Sequence, residues 1–131
     1  MTNTGFAETH EAAVPHDDEV EYLSKGRYQF AILYSAGNMV STVDDLALWL
    51  DAYLGGKLFP KSMLEKINGR YNYGWEVTND ARLYHHGDMT GVRTFIMYDK
   101  SNNTKIIILS NKHYDDTLPA EILSILSQAE E

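Results

Sequence analysis

The segment His85-His86-Gly87-Asp88, followed by a second glycine at Gly91, is the densest group of residues that could do chemistry. An imidazole can donate a hydrogen bond or carry a proton near neutral pH, and glycine lets a backbone approach a ligand closely. Adjacent residues of a strand point to opposite faces, so we expect the two histidines to meet different environments and not to share a metal easily. The local sequence alone favours a plainer interpretation, a turn with one solvated and one packed histidine.

A search for a nucleophile points away from a complete active site. The chain contains no Gly-x-Ser-x-Gly elbow, and none of its serines is followed three positions later by lysine. A histidine could still activate a distant serine, because catalytic triads are assembled in space and not in sequence. A metal hydrolase that uses His85, His86 and His113 is a minor hypothesis, because these residues lack the spacing of metal ligands. The sequence predicts no metal and no cofactor.

Composition and charge limit the classes of partner that this chain is expected to bind. The chain has 131 residues, 44% of them hydrophobic, which suits one globular domain. Its net charge of -8 argues against nucleic acid or an anionic membrane as a partner. No stretch approaches the ~20 apolar residues of a membrane span, so none is predicted. The absence of cysteine excludes disulfides and thiolate metal sites.

The elements that must position the histidines can be read from periodicity. Residues 1–30 form an acidic, poorly patterned segment that we expect to be poorly ordered, and residues 31–131 form the folded unit. A helix capped by Ser41 or Thr42 is expected to end at Gly55-Gly56, and a shorter one begins at Pro60. Strands are predicted over residues 73–78, 82–86, 92–98 and 106–109, and a final helix is capped by Asp116 or Thr117.

These elements predict an α+β fold, an antiparallel sheet of about four strands with flanking helices and the C-terminal helix packed on the sheet. The fourth strand contains the run Ile106-Ile107-Ile108-Leu109, which is apolar on both faces and therefore predicts a central strand covered on both sides.

Several motifs in order resemble the serine β-lactamase-like family, which includes class C β-lactamases, penicillin-binding proteins, D-aminopeptidases and esterases. Residues 35–46 resemble its "S-A-G-G-hydrophobic-x-S-T-x-x-D-L" segment, and residues 73–77 resemble its "Y-G-x-G-W" strand with one glycine position absent or shifted. His85-x-Gly87-x-x-x-Gly91 is similar to the third motif, "H-x-G-G-x-P-G". The pair Tyr98-Asp99 and the later run 109–111 resemble the "Y-D-P…hydrophobic-S-N" hairpin, and residues 1–6 resemble the "G-M-x-x-T-G-F/Y" stretch.

The resemblance implies that this chain is the C-terminal portion of a serine acyl-transfer hydrolase. In the family, Ser-x-x-Lys and Tyr-x-Asn motifs lie upstream, so the N-terminal remainder of the parent chain is the implied partner. His85 would hydrogen-bond the carboxylate side of a small-molecule or peptide-like acyl substrate or assist proton transfer, and Gly87 would keep the strand edge open. His86 becomes the variable middle residue of the motif. Asp88 replaces the usual second glycine and joins His86 and Gly91 as a binding candidate.

The resemblance leaves the substrate open between a β-lactam, a D-amino-acid peptide and a simple ester. It implies an extracytoplasmic location for the parent, because most of the family is found there. The alternative is a stand-alone binding or regulatory module that has the same fold and no catalysis.

Overall fold

A computed structural model describes residues 1–6, 37–67, 71–78, 82–89 and 91–129. Three helices and seven strands are present in these ranges: β1 (Gly5–Phe6), β2 (Met39–Val40), α1 (Val43–Leu54), α2 (Lys61–Leu64), β3 (Tyr71–Asn72), β4 (Trp75–Val77), β5 (Arg82–Met89), β6 (Val92–Asp99), β7 (Thr104–Ser110) and α3 (Leu118–Ala129). Strands β3 to β7 form one antiparallel sheet in sequence order, and β1 pairs with β2 separately. The predicted α+β class is confirmed, with five strands in the main sheet instead of about four.

Helix α1 begins where its capping residues predict. Thr42 has extended backbone angles, and its Oγ1 accepts a hydrogen bond from the backbone N–H of Asp45 at 3.2 Å. That bond satisfies one of the N–H groups left unpaired at a helix start. Asp44 and Asp45 place negative charge in the first turn, where the helix dipole favours it. The helix ends at Gly55, and the next glycine has a φ of +76°, a conformation that side chains rarely adopt.

The core lies between α1 and one face of the sheet. Its buried members come from both elements and from the segments that join them: Leu50, Tyr53, Ile67, Trp75 and Leu83. The indole Nε1 of Trp75 donates a hydrogen bond to the Tyr53 hydroxyl at 2.8 Å. Burial raises the pKa of Tyr53, and this hydrogen bond opposes the change only in part. A buried aromatic cluster with its polar atoms paired fixes how α1 sits on the sheet.

A tight hairpin replaces the first predicted strand. Residues 73–78 were expected to be one strand, but Tyr73 and Gly74 form the turn between β3 and β4, with φ of +50° and +84°. Two successive positive φ values are typical of the two-residue turn that matches the twist of a hairpin. Glycine at position 74 adopts the positive φ of that turn at no steric cost. Because the turn takes up residues 73 and 74, the expected strand is shortened to Trp75–Val77.

Among the described strands, β7 lies at the edge of the sheet and not in the central position that the sequence predicts. Within the described ranges its ladder partner is β6, and Ile106 is buried at 6% exposure. An apolar run indicates that both faces of a strand are covered, but it carries no information about the strand's place in the sheet order. The side chain of Lys105 pairs with Asp51, which ties β7 to α1.

The C-terminal helix α3 is present as predicted, but its apolar side chains are incompletely covered. Leu118, Ile122 and Leu123 are half-buried, whereas Ile125 is 65% exposed and Leu126 is 40% exposed. No described side chain of this helix is buried.

The first residues of the chain are tied to the start of α1. The backbone N–H of Asn3 and the hydroxyl of Thr4 each donate to Asp45 Oδ2 at 2.8 Å, and Thr4 also bonds the Ser41 hydroxyl. Burial alone would raise the pKa of Asp45, but the hydrogen bonds from Thr4 and Asn3 lower it. Most of the segment predicted to be poorly ordered, residues 7–30, lies outside the described residues.

A buried carboxylate joins the far ends of β5 and β6. Asp99 is 2% exposed; it accepts hydrogen bonds from Arg82 Nε at 2.6 Å and from the backbone and hydroxyl of Ser101 at 2.9 and 2.5 Å. Burial alone would raise the pKa of Asp99, but the bonds from Arg82 and Ser101 lower it below its usual value. The ionised form is therefore the one that the fold stabilises.

Candidate functional site

Strand β5 carries four of the candidate residues, and its alternation divides them between two faces. Gly87 is paired with Thr94 and Asp88 with Arg93 across the β5–β6 ladder. His85 and Gly87 share the face of Leu83, which is fully buried in the core beneath α1. His86 and Asp88 belong to the opposite face. The sequence segment therefore supplies two different surfaces.

One edge of β5 is left open beside His85. The ladder between β4 and β5 pairs Val77 with Leu83 and Glu76 with Tyr84. In the described part of the chain it continues no further, so the β4 side of residues 87–89 has no strand partner. An unpaired strand edge presents backbone N–H and C=O groups to any extended ligand.

The turn between β3 and β4 holds the ring of His85. Its Nδ1 lies 2.8 Å from the carbonyl oxygen of Gly74. A carbonyl can only accept, so Nδ1 must carry the proton and donate it. The Nε2 of a neutral His85 is consequently the hydrogen-bond acceptor, and the ring is exposed to solvent.

A carboxylate from β4 lies beside the second histidine. His86 Nδ1 lies 3.1 Å from Glu76 Oε1, and the other carboxylate oxygen accepts a hydrogen bond from the Tyr84 hydroxyl at 3.1 Å. The Tyr84 ring stacks on Phe95 with centroids 5.9 Å apart, which restricts where the hydroxyl can lie. The carboxylate of Glu76 therefore lies beside the imidazole of His86, whose side chain is 53% exposed.

The two imidazoles remain neighbours although they bind different groups. Their ring centroids are 6.4 Å apart and their planes differ by 29°. His85 is anchored to a backbone carbonyl and His86 to a carboxylate. His85 therefore offers one oriented ring nitrogen at the end of β4, where the open edge of β5 begins, and His86 lies next to it on the other face of the strand.

Packing and backbone geometry account for both glycines. A Cβ on Gly87 would lie 2.6 Å from Thr94 Oγ1, closer than real contacts allow. Gly91 is buried, lies between β5 and β6 and has a φ of +75°, which a larger residue would adopt only with strain. Each glycine is thus required by the hairpin itself, whatever ligand the edge meets.

Asp88 takes part in a separate polar network. Arg93 lies 3.6 Å from Asp88, forms an ion pair with Asp116 and donates to the Tyr114 carbonyl at 2.7 Å, with its guanidinium over the Tyr114 ring. The Nε2 of His113 is 3.7 Å from the Asp88 carboxylate. Burial and the charges of Asp88 and Asp116 raise the pKa of Tyr114 against the opposing charge of Arg93. The network fastens the loop after β7 to the β5–β6 hairpin.

Sequence reasoning missed three residues that shape this region, Gly74, Glu76 and Arg93. The predicted strands place Glu76 and the histidines on neighbouring strands, so the sequence could have indicated a contact between a carboxylate and a histidine. The sequence does not give the strand register that selects Glu76, because a shift of one residue would turn the Glu76 side chain to the other face of the sheet.

In a comparison with protein-family models, residues 1–130 match the family described as Beta-lactamase. The chain belongs to the beta-lactamase family. Neither the search of curated proteins nor the search of solved structures returned a match.

Family membership agrees with the resemblance and with the fold, an antiparallel sheet with helices beside it. Within the described ranges, none of the helices of this beta-lactamase-family chain is both long and apolar enough to cross a membrane.

Proposed function

We propose that this chain supplies the third-motif strand of a serine acyl-transfer hydrolase of the beta-lactamase family, and that it is inactive alone. The observation that carries the proposal is the open edge of β5 beside an oriented His85. The sequence adds a second support, since it contains no Ser-x-x-Lys pair to provide the acylated serine. The N-terminal remainder of a longer parent chain would supply that pair and the Tyr-x-Asn motif.

The residues of β5 would have distinct roles in such an enzyme. The backbone groups of the edge would pair with an extended, peptide-like acyl substrate, as strand edges do with peptides. His85 would face the same substrate through Nε2, because Nδ1 is held by Gly74. His86 and Asp88 would contact parts of the substrate that reach around the edge. Gly91 would act on the site by setting the β5–β6 turn.

Covalent labelling tests whether the chain is inactive alone. The purified chain is incubated with a fluorescent penicillin and with an activated aryl ester, and acylated residues are located by mass spectrometry. No acylated serine is expected in either case, because an acyl-enzyme needs an activated nucleophile. A serine labelled in stoichiometric amount would contradict the claim that the nucleophile lies elsewhere.

Reconstitution tests the role of β5. The region of the parent gene that encodes Ser-x-x-Lys is expressed separately and mixed with this chain. Acylation of that serine is expected with wild type and with His113→Gln, the control imidazole, and a loss of about 10-fold or more is expected with His85→Gln. Equal acylation with all three chains would remove His85 from the site.

The second candidate function is a stand-alone binding or regulatory module. The exposed His85 and His86 beside an open strand edge would suit ligand binding without catalysis. The parent gene separates the two functions. A reading frame without upstream Ser-x-x-Lys favours the module, and a frame that contains the pair excludes it.

A further inference from the structure

The turn between β3 and β4 determines which ring nitrogen of His85 carries the proton. The Gly74 carbonyl oxygen lies 2.8 Å from Nδ1 of His85, and a carbonyl can only accept a hydrogen bond. The neutral ring is therefore held with its proton on Nδ1 and a lone pair on Nε2. An unconstrained imidazole in water prefers the other tautomer, with the proton on Nε2. The contact with Gly74 thus acts against the ordinary preference of the ring.

The place of that carbonyl depends on two residues with positive φ. Tyr73 and Gly74 connect Asn72 to its ladder partner Trp75, with φ of +50° and +84°. A positive φ is uncommon outside glycine, and a bulky residue adopts it with strain. The Tyr73 side chain is 61% exposed, so burial in the core does not account for its backbone conformation. The chain thus keeps a strained residue in the turn that carries the acceptor for His85, and such residues cluster at functional sites.

His85 lies where a ligand would meet β5. It is exposed, and it comes two residues before Gly87, whose β4 side has no strand partner in the described ranges. Because Gly74 occupies Nδ1, Nε2 is the ring nitrogen left for a ligand. A neutral Nε2 with a lone pair accepts a hydrogen bond from an N–H or O–H group, whereas a carboxylate oxygen is itself an acceptor and gains nothing there.

We propose that the Tyr73–Gly74 turn is a positioning element for His85, and that it makes Nε2 a hydrogen-bond acceptor for an N–H or O–H group of the substrate. This rests on the proposed function only for the word substrate, because the turn and its contact with His85 belong to this chain alone. Of the two roles that the family resemblance implies for His85, the geometry favours help in proton transfer. A neutral ring held in this way has no Nε2–H to donate to a substrate carboxylate.

The tautomer ratio of His85 is measured by long-range ¹H–¹⁵N NMR on the ¹⁵N-labelled chain at about pH 8, above the ordinary imidazole pKa of ~6.5. A His85→Gln variant assigns the signals. The ratio of Nδ1–H to Nε2–H should be roughly fivefold higher in the folded chain than in the urea-unfolded chain, since one net hydrogen bond is worth about that factor. Equal ratios in the folded and unfolded chains overturn the proposal.

Two variants at residue 73 test the turn itself. Tyr73→Pro fixes φ near about −65°, which is incompatible with the turn, so the His85 ratio should fall to that of the unfolded chain. Tyr73→Asn gives Asn-Gly, the pair most typical of such turns, and should keep the wild-type ratio. Fluorescence of the buried Trp75 shows whether each variant is folded. A wild-type ratio in a folded Tyr73→Pro chain overturns the role of the turn. If that variant does not fold, the comparison of folded and unfolded wild type decides.

Ligand preference is measured with acetylglycinamide and acetylglycinate, two peptide-like probes that differ only in a terminal amide or carboxylate. At about pH 8 and equal concentrations, the His85 imidazole signals should move at least about twice as far with the amide, which can donate to Nε2. The response of His113 sets the background from general electrostatics. An equal or larger response to the carboxylate, including none to either probe, overturns the acceptor role. The acyl-transfer proposal is decided separately by the reconstitution experiment.

Discussion

Replacing Gly87 with alanine tests whether packing within the sheet, as opposed to a ligand, requires this glycine. The added Cβ would lie 2.6 Å from Thr94 Oγ1 on the paired strand. This close contact is relieved only if the Thr94 side chain changes its rotamer or the two strands move apart. A β-branched side chain has few alternative rotamers at χ1, so either change is costly. Overpacking of this kind costs about 1–3 kcal/mol. Alanine recovers about 0.5–1 kcal/mol in a strand, because glycine loses more backbone entropy on folding.

The net expectation for Gly87→Ala is a loss of about 0–2.5 kcal/mol in the free energy of unfolding. The sign should reverse when Thr94 is alanine, because the next nearest atom is the residue 94 Cβ at 3.9 Å, an ordinary contact. In the Thr94→Ala background, Gly87→Ala should stabilise the chain by about 0.5–1 kcal/mol. The interaction energy of this double-mutant cycle is then about 1–3 kcal/mol.

Urea unfolding provides the measurement. Fluorescence of the buried Trp75 reports the loss of the core, and an unchanged m-value shows that the denatured state is the same in all four chains. The same effect of Gly87→Ala in both backgrounds would refute the packing argument. It would leave substrate approach as the reason for glycine, and the stable double variant could then be tested in the reconstituted enzyme.

Three further predictions concern stability, each measured by urea unfolding. The pKa of Asp99 is lowered in the fold. Its contribution to the free energy of unfolding is therefore complete above the ordinary carboxyl pKa of ~3.9 and is lost as the pH falls through the lowered value. Asp99→Asn should lower the free energy of unfolding by about 1.5–3 kcal/mol at pH 7, because Arg82 loses the charged oxygen that accepts its hydrogen bond. It should also make the fall in stability at acid pH (the acid limb of the stability curve) less steep. Tyr53→Phe should cost about 1–3 kcal/mol, because the buried Trp75 indole loses its acceptor. Arg93→Gln should cost about 1–3 kcal/mol and expose the loop after β7 to proteolysis.

Controls and contrary outcomes are available for each. Glu65→Gln, at an exposed position just after α2, should leave the acid limb unchanged. An acid limb that is equally steep in Asp99→Asn and wild type would contradict the assigned source of acid sensitivity. Tyr73→Phe, with a ring 61% exposed, should be neutral, and a similar loss from Tyr53→Phe and Tyr73→Phe would contradict the Trp75 bond. Unchanged proteolysis in Arg93→Gln would show that the loop is held by other contacts.

The sequence by itself predicted the local elements, because their signals are local. The Thr42 cap, the apolar periodicity of α1 and the alternation of β5 and β6 each depend on residues a few positions apart. Motif order also predicted the family, which the family match confirms over residues 1–130. The positions of Gly87 and Gly91 on one hairpin could be read from the same short segment.

Only the tertiary structure decided how those elements meet. The apolar run 106–109 predicted a covered strand, and the order of the described strands put β7 at the edge. The β4–β5 register selected Glu76 as the partner of His86, and a shift of one residue would have turned that carboxylate away. The Gly74 carbonyl reaches His85 because Tyr73 and Gly74 form a turn instead of continuing a strand. Local sequence specifies backbone preference, whereas register and sheet order depend on contacts between distant residues.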